Sequence, residues 1–258
     1  MELVRELLRW IHVVAGIMWI GHLYFFNFVN GPFAATLSGD TKKAVVPELA
    51  PRALYFFRWG AAWTWVTGVL LLLLVFYHGG VIRGEAGGMG ISTLLALVLT
   101  LGGFAVYDAL MTGPLLGEQR MKNIAAFVLV ALIMFIMTKF AGFGSRSLNI
   151  HIGAMFGTTM AFNVWFRIWP AQRQIITAIK NGQAPDASLV ATAGLRSRHN
   201  TYLSIPLVWM MLNSHTIASK PGFLPKEIWL MVIILVGWHL AFQLYKLAGD
   251  ANRVKSGL

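Results

Sequence analysis

Seven histidines carry the chemistry of this sequence, and five of them, His12, His22, His151, His215 and His239, lie inside long apolar runs. An ionisable side chain at such a depth is expensive to keep and marks a functional site by default. His78 and His199 stand at the ends of apolar runs. At ~1.5 Å of rise per helical residue, His12, His78, His151 and His215 fall in the outer third of their runs, and His22, His199 and His239 nearer the inner side. Two chemistries use imidazoles placed this way. One is a b-type haem held between helices by neutral axial imidazoles. The other is a metal bound directly by several histidines. Carboxylates are scarce in the runs, Asp108 being the only acid well inside one, and this favours haem. So do small residues beside the candidate ligands, which make room for a macrocycle: Gly16 one turn after His12, and Gly153 and Gly157 after His151.

Each feature also has a plainer explanation. A membrane histidine often only hydrogen-bonds a neighbouring helix, and Gly153 and Gly157 form a G-x-x-x-G pair that allows close helix packing. Trp10, Trp59, Trp63, Trp169 and Trp229 suit anchors at the membrane–water interface. His22 reads equally as a second-haem ligand or a lone polar contact. A second polar cluster, Arg196-Ser197-Arg198-His199-Asn200 with Asn163 and Arg167, offers guanidinium forks for anions and amides for polar edges. It is a candidate anion or substrate site, and alternatively a set of positive charges at a helix start.

The elements that position these residues follow from composition. The chain has 258 residues, of which 57% are hydrophobic and 12% charged, with mean hydropathy +0.65. Soluble domains carry about 25% charged residues, so a soluble globular enzyme and a disordered chain are both excluded. The absence of cysteine excludes disulfides, thiolate zinc, iron–sulfur clusters and covalently attached c-type haem. No cleavable signal peptide is expected. A span needs about 20 apolar residues, and seven runs qualify: Leu7–Val29, Leu54–Tyr77, Ile91–Leu110, Ile124–Phe143, Leu148–Trp169, Tyr202–Ile217 and Ile228–Tyr245. The expected fold is therefore all-α, a polytopic membrane helix bundle of about seven transmembrane helices forming a single transmembrane domain over residues 1–258.

The net charge is +11, and its distribution follows the spans. Assigning the 21 Lys and Arg residues to sides gives 7 on the N-terminal side and 14 on the other. The positive-inside rule then places the N-terminus outside and the C-terminus in the cytoplasm. The basic charge is accounted for by topology, and nucleic acid is not an expected partner. Residues 30–53 read as a polar connector because of Pro32, Pro47 and Pro51. Residues 79–90 read as a flexible glycine-rich loop. Residues 170–200 read as two cytoplasmic helical pieces broken at Asn181-Gly182 and Pro185, the first continuing the fifth span along the lipid surface.

Three motifs carry a resemblance. Leu7–Gly21 (LLRWIHVVAGIMWIG), His151–Ile176 (HIGAMFGTTMAFNVWFRIWPAQRQII) and Arg196–His215 (RSRHNTYLSIPLVWMMLNSH) resemble, in order, segments of the membrane domain of the cytochrome c-linked, PuuD-type urate oxidases. The resemblance covers most of the chain. It implies a haem-binding multi-span fold in the inner membrane of a prokaryote, with His12, His151, His199 and His215 at matching positions. Full-length members carry a C-terminal cytochrome c domain, and this sequence reads as the membrane domain lacking it. The implied partner is then a separate c-type cytochrome or another redox subunit of a membrane complex. Three functions follow: a b-type haem electron-transfer subunit, with His12, His151 and His215 the leading ligands and His78, His22 and His239 next; a urate oxidase-like oxidoreductase; or a cofactor-free structural subunit.

Overall fold

The computed structural model describes residues 2–215 and 222–256, and these are helical with no strand. Nine helices are described. Helix α1, Glu2–Thr36, and α2, Gly39–Tyr77, are followed by α3, Val81–Ala86, α4, Ile91–Thr112, and α5, Gln119–Lys139. Helix α6 joins Ser145–Asn163, Val164–Ile168 and Trp169–Lys180. Helices α7, Ala187–Asn213, α8, Lys226–Gly249, and α9, Ala251–Lys255, complete the order.

Five helices, α1, α2, α4, α5 and α8, are long and apolar enough to cross a membrane. Their outward side chains include Ile17, Ile91, Val98 and Leu235, each at least half exposed. A soluble surface would not carry such a density of bare aliphatics, whereas lipid demands it. The chain is built as a multi-pass membrane protein. The expected spans Leu148–Trp169 and Tyr202–Ile217 fall on α6 and α7, except that residues 216–217 lie outside the described residues.

Contacts group the chain into two compact units. The first contains Gly68–Thr159 and Pro206–Val236, and the second Glu6–Thr67, Met160–Ile205 and Gly237–Leu258. In the first unit the core is built on Phe76, Met134, Met137, Phe143, Leu148, Ile152 and Met210. Gly153 brings α6 and α7 together there: a Cβ on it would lie 3.1 Å from Met210 Cβ and 2.9 Å from Met211 Cε. Gly157 is not under that constraint, since its nearest neighbour would be Leu207 Cδ1 at 3.9 Å. The Gly153 backbone thus serves helix packing. The C-terminus of α4 is closed by Lys122, whose Nζ donates to Met111 O at 3.2 Å and Gly113 O at 2.7 Å. A buried ammonium there meets carbonyls that the helix leaves unpaired. The core of the second unit is Trp19, Leu23, Phe57, Ala61, Met160 and Val164.

Two connectors differ from expectation. Residues 30–53 are not an irregular link: α1 runs on to Thr36, α2 begins at Gly39, and Pro47 and Pro51 stand inside α2. Each proline removes one backbone hydrogen bond. The alanine, leucine, lysine and glutamate around them are good helix formers, and Arg52 Nη1 reaches Glu48 Oε2 at 2.8 Å along the same face. Local propensity outweighs the two missing bonds. Residues 79–90 hold α3, with Ile82 fully buried, and Glu85 accepts from Ser147 N at 3.0 Å to cap α6. The expected break at Asn181-Gly182 is present. Gly182 takes φ +71°, Gln183 N returns to Ala178 O at 2.8 Å, and the left-handed residue that ends the helix is one that glycine accepts freely. Asp186 then opens α7 by accepting from Ser188 N and Ser188 Oγ, both at 2.7 Å.

Three segments wind as π-helix: Phe25–Asn30 in α1, Leu72–Tyr77 in α2 and Val164–Ile168 in α6. One extra residue per turn re-aims the side chains around it, and such turns gather at functional sites. Each of these three adjoins one of the polar constellations described next.

Candidate functional site

In the first unit, His151 is fully buried. Its Nδ1 lies 2.7 Å from Ser147 O and its Nε2 lies 2.9 Å from the Tyr77 hydroxyl. A carbonyl only accepts, so Nδ1 carries the proton and Nε2 presents a lone pair, to which Tyr77 donates. Tyr77 comes from the π-turn of α2, its oxygen is also 3.2 Å from Thr93 O, and the Phe143 ring stands 4.5 Å from the imidazole. Ser147, whose carbonyl holds His151, is the residue whose N–H Glu85 caps. Of the other histidines in this unit, His78 and His215 are exposed.

In the second unit, His12 and His22 share this tautomer. His22 Nδ1 donates to Met18 O at 2.7 Å. His12 Nδ1 is 3.2 Å from Thr67 Oγ1, and the single Thr67 hydroxyl proton goes to Trp63 O at 2.6 Å, so His12 is the donor. In both rings Nε2 is the unprotonated nitrogen. A histidine whose Nδ1–H is fixed by a carbonyl or hydroxyl is the form that ligates a metal through Nε2. His239 differs: the amide of Gln243 donates to its Nε2 at 3.1 Å. Gly16 meets the Thr64 side chain at ordinary contact distance. The histidines therefore divide between the units, His78, His151 and His215 in the first and His12, His22, His199 and His239 in the second. Among the described residues no group of three or more His, Cys, Asp or Glu is arranged to hold a metal ion.

The second polar cluster lies wholly in the second unit. Asn163 Nδ2 donates to Asn200 Oδ1 at 2.9 Å, Asn200 Nδ2 donates to Met160 O at 2.9 Å, and both asparagines are buried. Arg196 is buried with them on α7, and His199 and Arg167 are partly buried. Beside this cluster a cleft of about 460 Å³ opens, lined by Phe26, Asn27, Asn30, Leu54, Phe57, Gln172, Ser197, Arg198 and Tyr245 among others. Helical phase decides which α7 residues reach it. Gly194, Ser197 and Arg198 share one face, three and four residues apart, while Arg196 and Asn200 share another. Asn27, Asn30, Gln172 and Tyr245 were not among the expected site residues. Their signal was the pair Asn27 and Asn30, three residues apart at the end of an apolar run.

Asn27 holds the cleft together. Its Nδ2 donates to Leu23 O and to Ser197 Oγ, each at 2.8 Å, and its Oδ1 accepts from the Tyr245 hydroxyl at 2.8 Å. The Tyr245 ring stacks on Tyr202 at 5.8 Å and meets Phe28 edge-on at 5.1 Å. The Arg198 guanidinium lies 5.7 Å from the centre of the same ring. Among the described residues Arg198 is the only charged one lining the cleft, and it has no carboxylate partner.

The family model described as urate oxidase N-terminal matches residues 38–255, most of the chain. The chain belongs to the urate oxidase N-terminal family. The matched stretch includes His151, both buried asparagines and the α6, α7 and α8 walls of the cleft, and begins after His12, His22 and Asn27. No curated protein and no solved structure matches the chain.

Proposed function

We propose that this member of the urate oxidase N-terminal family is a membrane-embedded redox protein that binds one or two b-type haems and passes electrons across or along the membrane. In this reading the chain crosses the inner membrane of a prokaryote seven times, α6 and α7 supplying the spans beyond the five most apolar helices, with its N-terminus outside. The observation that carries the haem assignment is the shared tautomer of His12, His22 and His151, each with Nδ1 donating and Nε2 unprotonated, although in His151 that nitrogen already accepts from Tyr77. That is the donor chemistry an axial position requires. His151 and His239 fit less directly than His12 and His22, because Tyr77 and Gln243 already occupy their Nε2 and would have to give way to a metal. When bound, a b-type haem supplies a one-electron carrier. The protein's own part is to fix each ring by its Nδ1–H and to exclude water around His151, whose Nε2 is held by Tyr77 until a ligand replaces that hydrogen bond.

The natural electron acceptor in this reading is a c-type cytochrome or another subunit of a redox complex. A reduced-minus-oxidised spectrum of the purified protein with a pyridine haemochrome count tests the proposal. A b-type band is expected, and His12→Ala, His22→Ala or His151→Ala should each remove or shift a defined fraction of it. Protein that stays colourless after haem reconstitution refutes the assignment.

A second reading is favoured by the family match together with the cleft. The cleft pairs one guanidinium, without a carboxylate partner among the described residues, with amides and aromatic walls, which suits a small planar anion such as urate. The chain would then be an oxidoreductase that takes electrons from that substrate. Anaerobic addition of urate to the oxidised protein should reduce the haem; an unchanged spectrum in a haem-loaded preparation excludes this reading and leaves the electron-transfer one standing.

A further inference from the structure

We infer that Arg198 reads the negative charge of the ligand in the cleft and that Asn27 is the positioning residue that sets its aim; this rests on the substrate reading above. Three observations combine. First, Arg198 is exposed at the mouth of the cleft and has no carboxylate partner among the described residues. Its guanidinium is therefore available to an entering anion, which it can hold bidentately. Second, its guanidinium carbon lies 5.7 Å from the centre of the Tyr245 ring, within reach of a cation–π contact. Third, Tyr245 does not set its own position. Its hydroxyl is fixed on Asn27 Oδ1, and Asn27 is fixed in turn by Leu23 O and Ser197 Oγ.

Asn27 thus ties α1, α7 and α8 at one point with a fully used amide. Its place in the π-turn Phe25–Asn30 matters. The extra residue rotates the following side chains by about a hundred degrees relative to an uninterrupted α-helix. Asn27 and Asn30 both line the cleft in that setting. A side-chain amide can donate to Leu23 O and Ser197 Oγ while accepting from the Tyr245 hydroxyl, whereas an aspartate there donates nothing and adds a negative charge to the cleft.

The test compares two purines of similar shape, urate, an anion at neutral pH, and hypoxanthine, which is neutral. Dissociation constants are measured by titration calorimetry on the full chain in nanodiscs. The wild type should prefer urate. Arg198→Gln should weaken urate by about tenfold to a hundredfold, the range for a lost charge-assisted hydrogen bond, and hypoxanthine by less than about threefold. Asn27→Asp should lower the urate preference in the same direction, because the new carboxylate pairs with Arg198 and loses both donated bonds. Tyr245→Phe should weaken urate by a few-fold, and Arg198→Lys should recover only part of the preference. A general loosening of the fold would weaken both purines together and leave their ratio unchanged, so the ratio separates positioning from mere stability. Wild-type binding of urate with an unchanged ratio in Arg198→Gln and Asn27→Asp overturns the inference and spares the substrate reading. A wild type that binds neither purine overturns both.

Discussion

Replacing Gly153 and Gly157 one at a time by alanine should give opposite results, although the two form one G-x-x-x-G pair. At Gly153 the new methyl lies 3.1 Å from Met210 Cβ and 2.9 Å from Met211 Cε. Met211 Cε is the end of a flexible chain and can move. Met210 Cβ is fixed to its backbone, so α6 and α7 must separate by a few tenths of an ångström in a core where Met210 is fully buried. Overpacking of this kind costs about 1–3 kcal/mol. Against it stands a gain of roughly 0.5–1 kcal/mol for replacing a mid-helix glycine. The net is a loss of up to about 2.5 kcal/mol, or up to roughly 10 °C in Tm at ~2–4 °C per kcal/mol for a chain of this size. At Gly157 the methyl meets only Leu207 Cδ1 at 3.9 Å, an ordinary contact, so the helix gain stands alone and Tm should stay level or rise by up to about 4 °C. Tryptophan fluorescence on heating in detergent gives both values. Equal shifts for the two variants, or a Gly153→Ala protein more stable than wild type, would refute the close-approach argument.

Two further outcomes follow from the polar contacts. Asn200→Ala removes an amide that both accepts from Asn163 and donates to Met160 O in a buried site; a loss of about 1–3 kcal/mol is expected, with Asn163→Ala costing less and the double variant less than the sum, and denaturant unfolding that places Asn200→Ala within error of wild type would contradict it. The Ser188 hydroxyl, followed by the Ser188 N–H, holds the Asp186 carboxyl below the usual carboxylate range. A group whose folded pKa is lowered stabilises fully above its unfolded value and loses that contribution as the pH falls through the folded one. The protection of the amides at 188–190, taken as the intrinsic exchange rate at each pH divided by the observed one, should therefore fall on acidification in the wild type and be already low, with a flatter pH response, in Asp186→Ala; identical profiles would exclude the cap.

Much of the helical layout was legible in the sequence because a membrane span is specified by composition over some twenty residues, and many side chains vote together. The runs that became α4, α5 and α8 needed no tertiary information. The end of α6 at Gly182 was equally local, since a left-handed backbone is cheap only for glycine. The connector at residues 30–53 misled for the same reason. Pro47 and Pro51 are strong single signals, but each forfeits one hydrogen bond while its neighbours all favour helix.

The candidate site was legible only in part. Residue types alone marked the histidines, the paired asparagines and the arginine-rich start of α7 as costly in apolar surroundings. They did not tell Arg196 from Arg198, two residues apart and about 200° around the helix, of which one is buried beside the asparagines and the other faces the cleft. Nor did they connect Asn27 with Tyr245, 218 residues away. Solvation cost fixes which residues need partners and can be read from one chain segment. Which partner each receives depends on the phase of one helix against another, and only packing sets that phase.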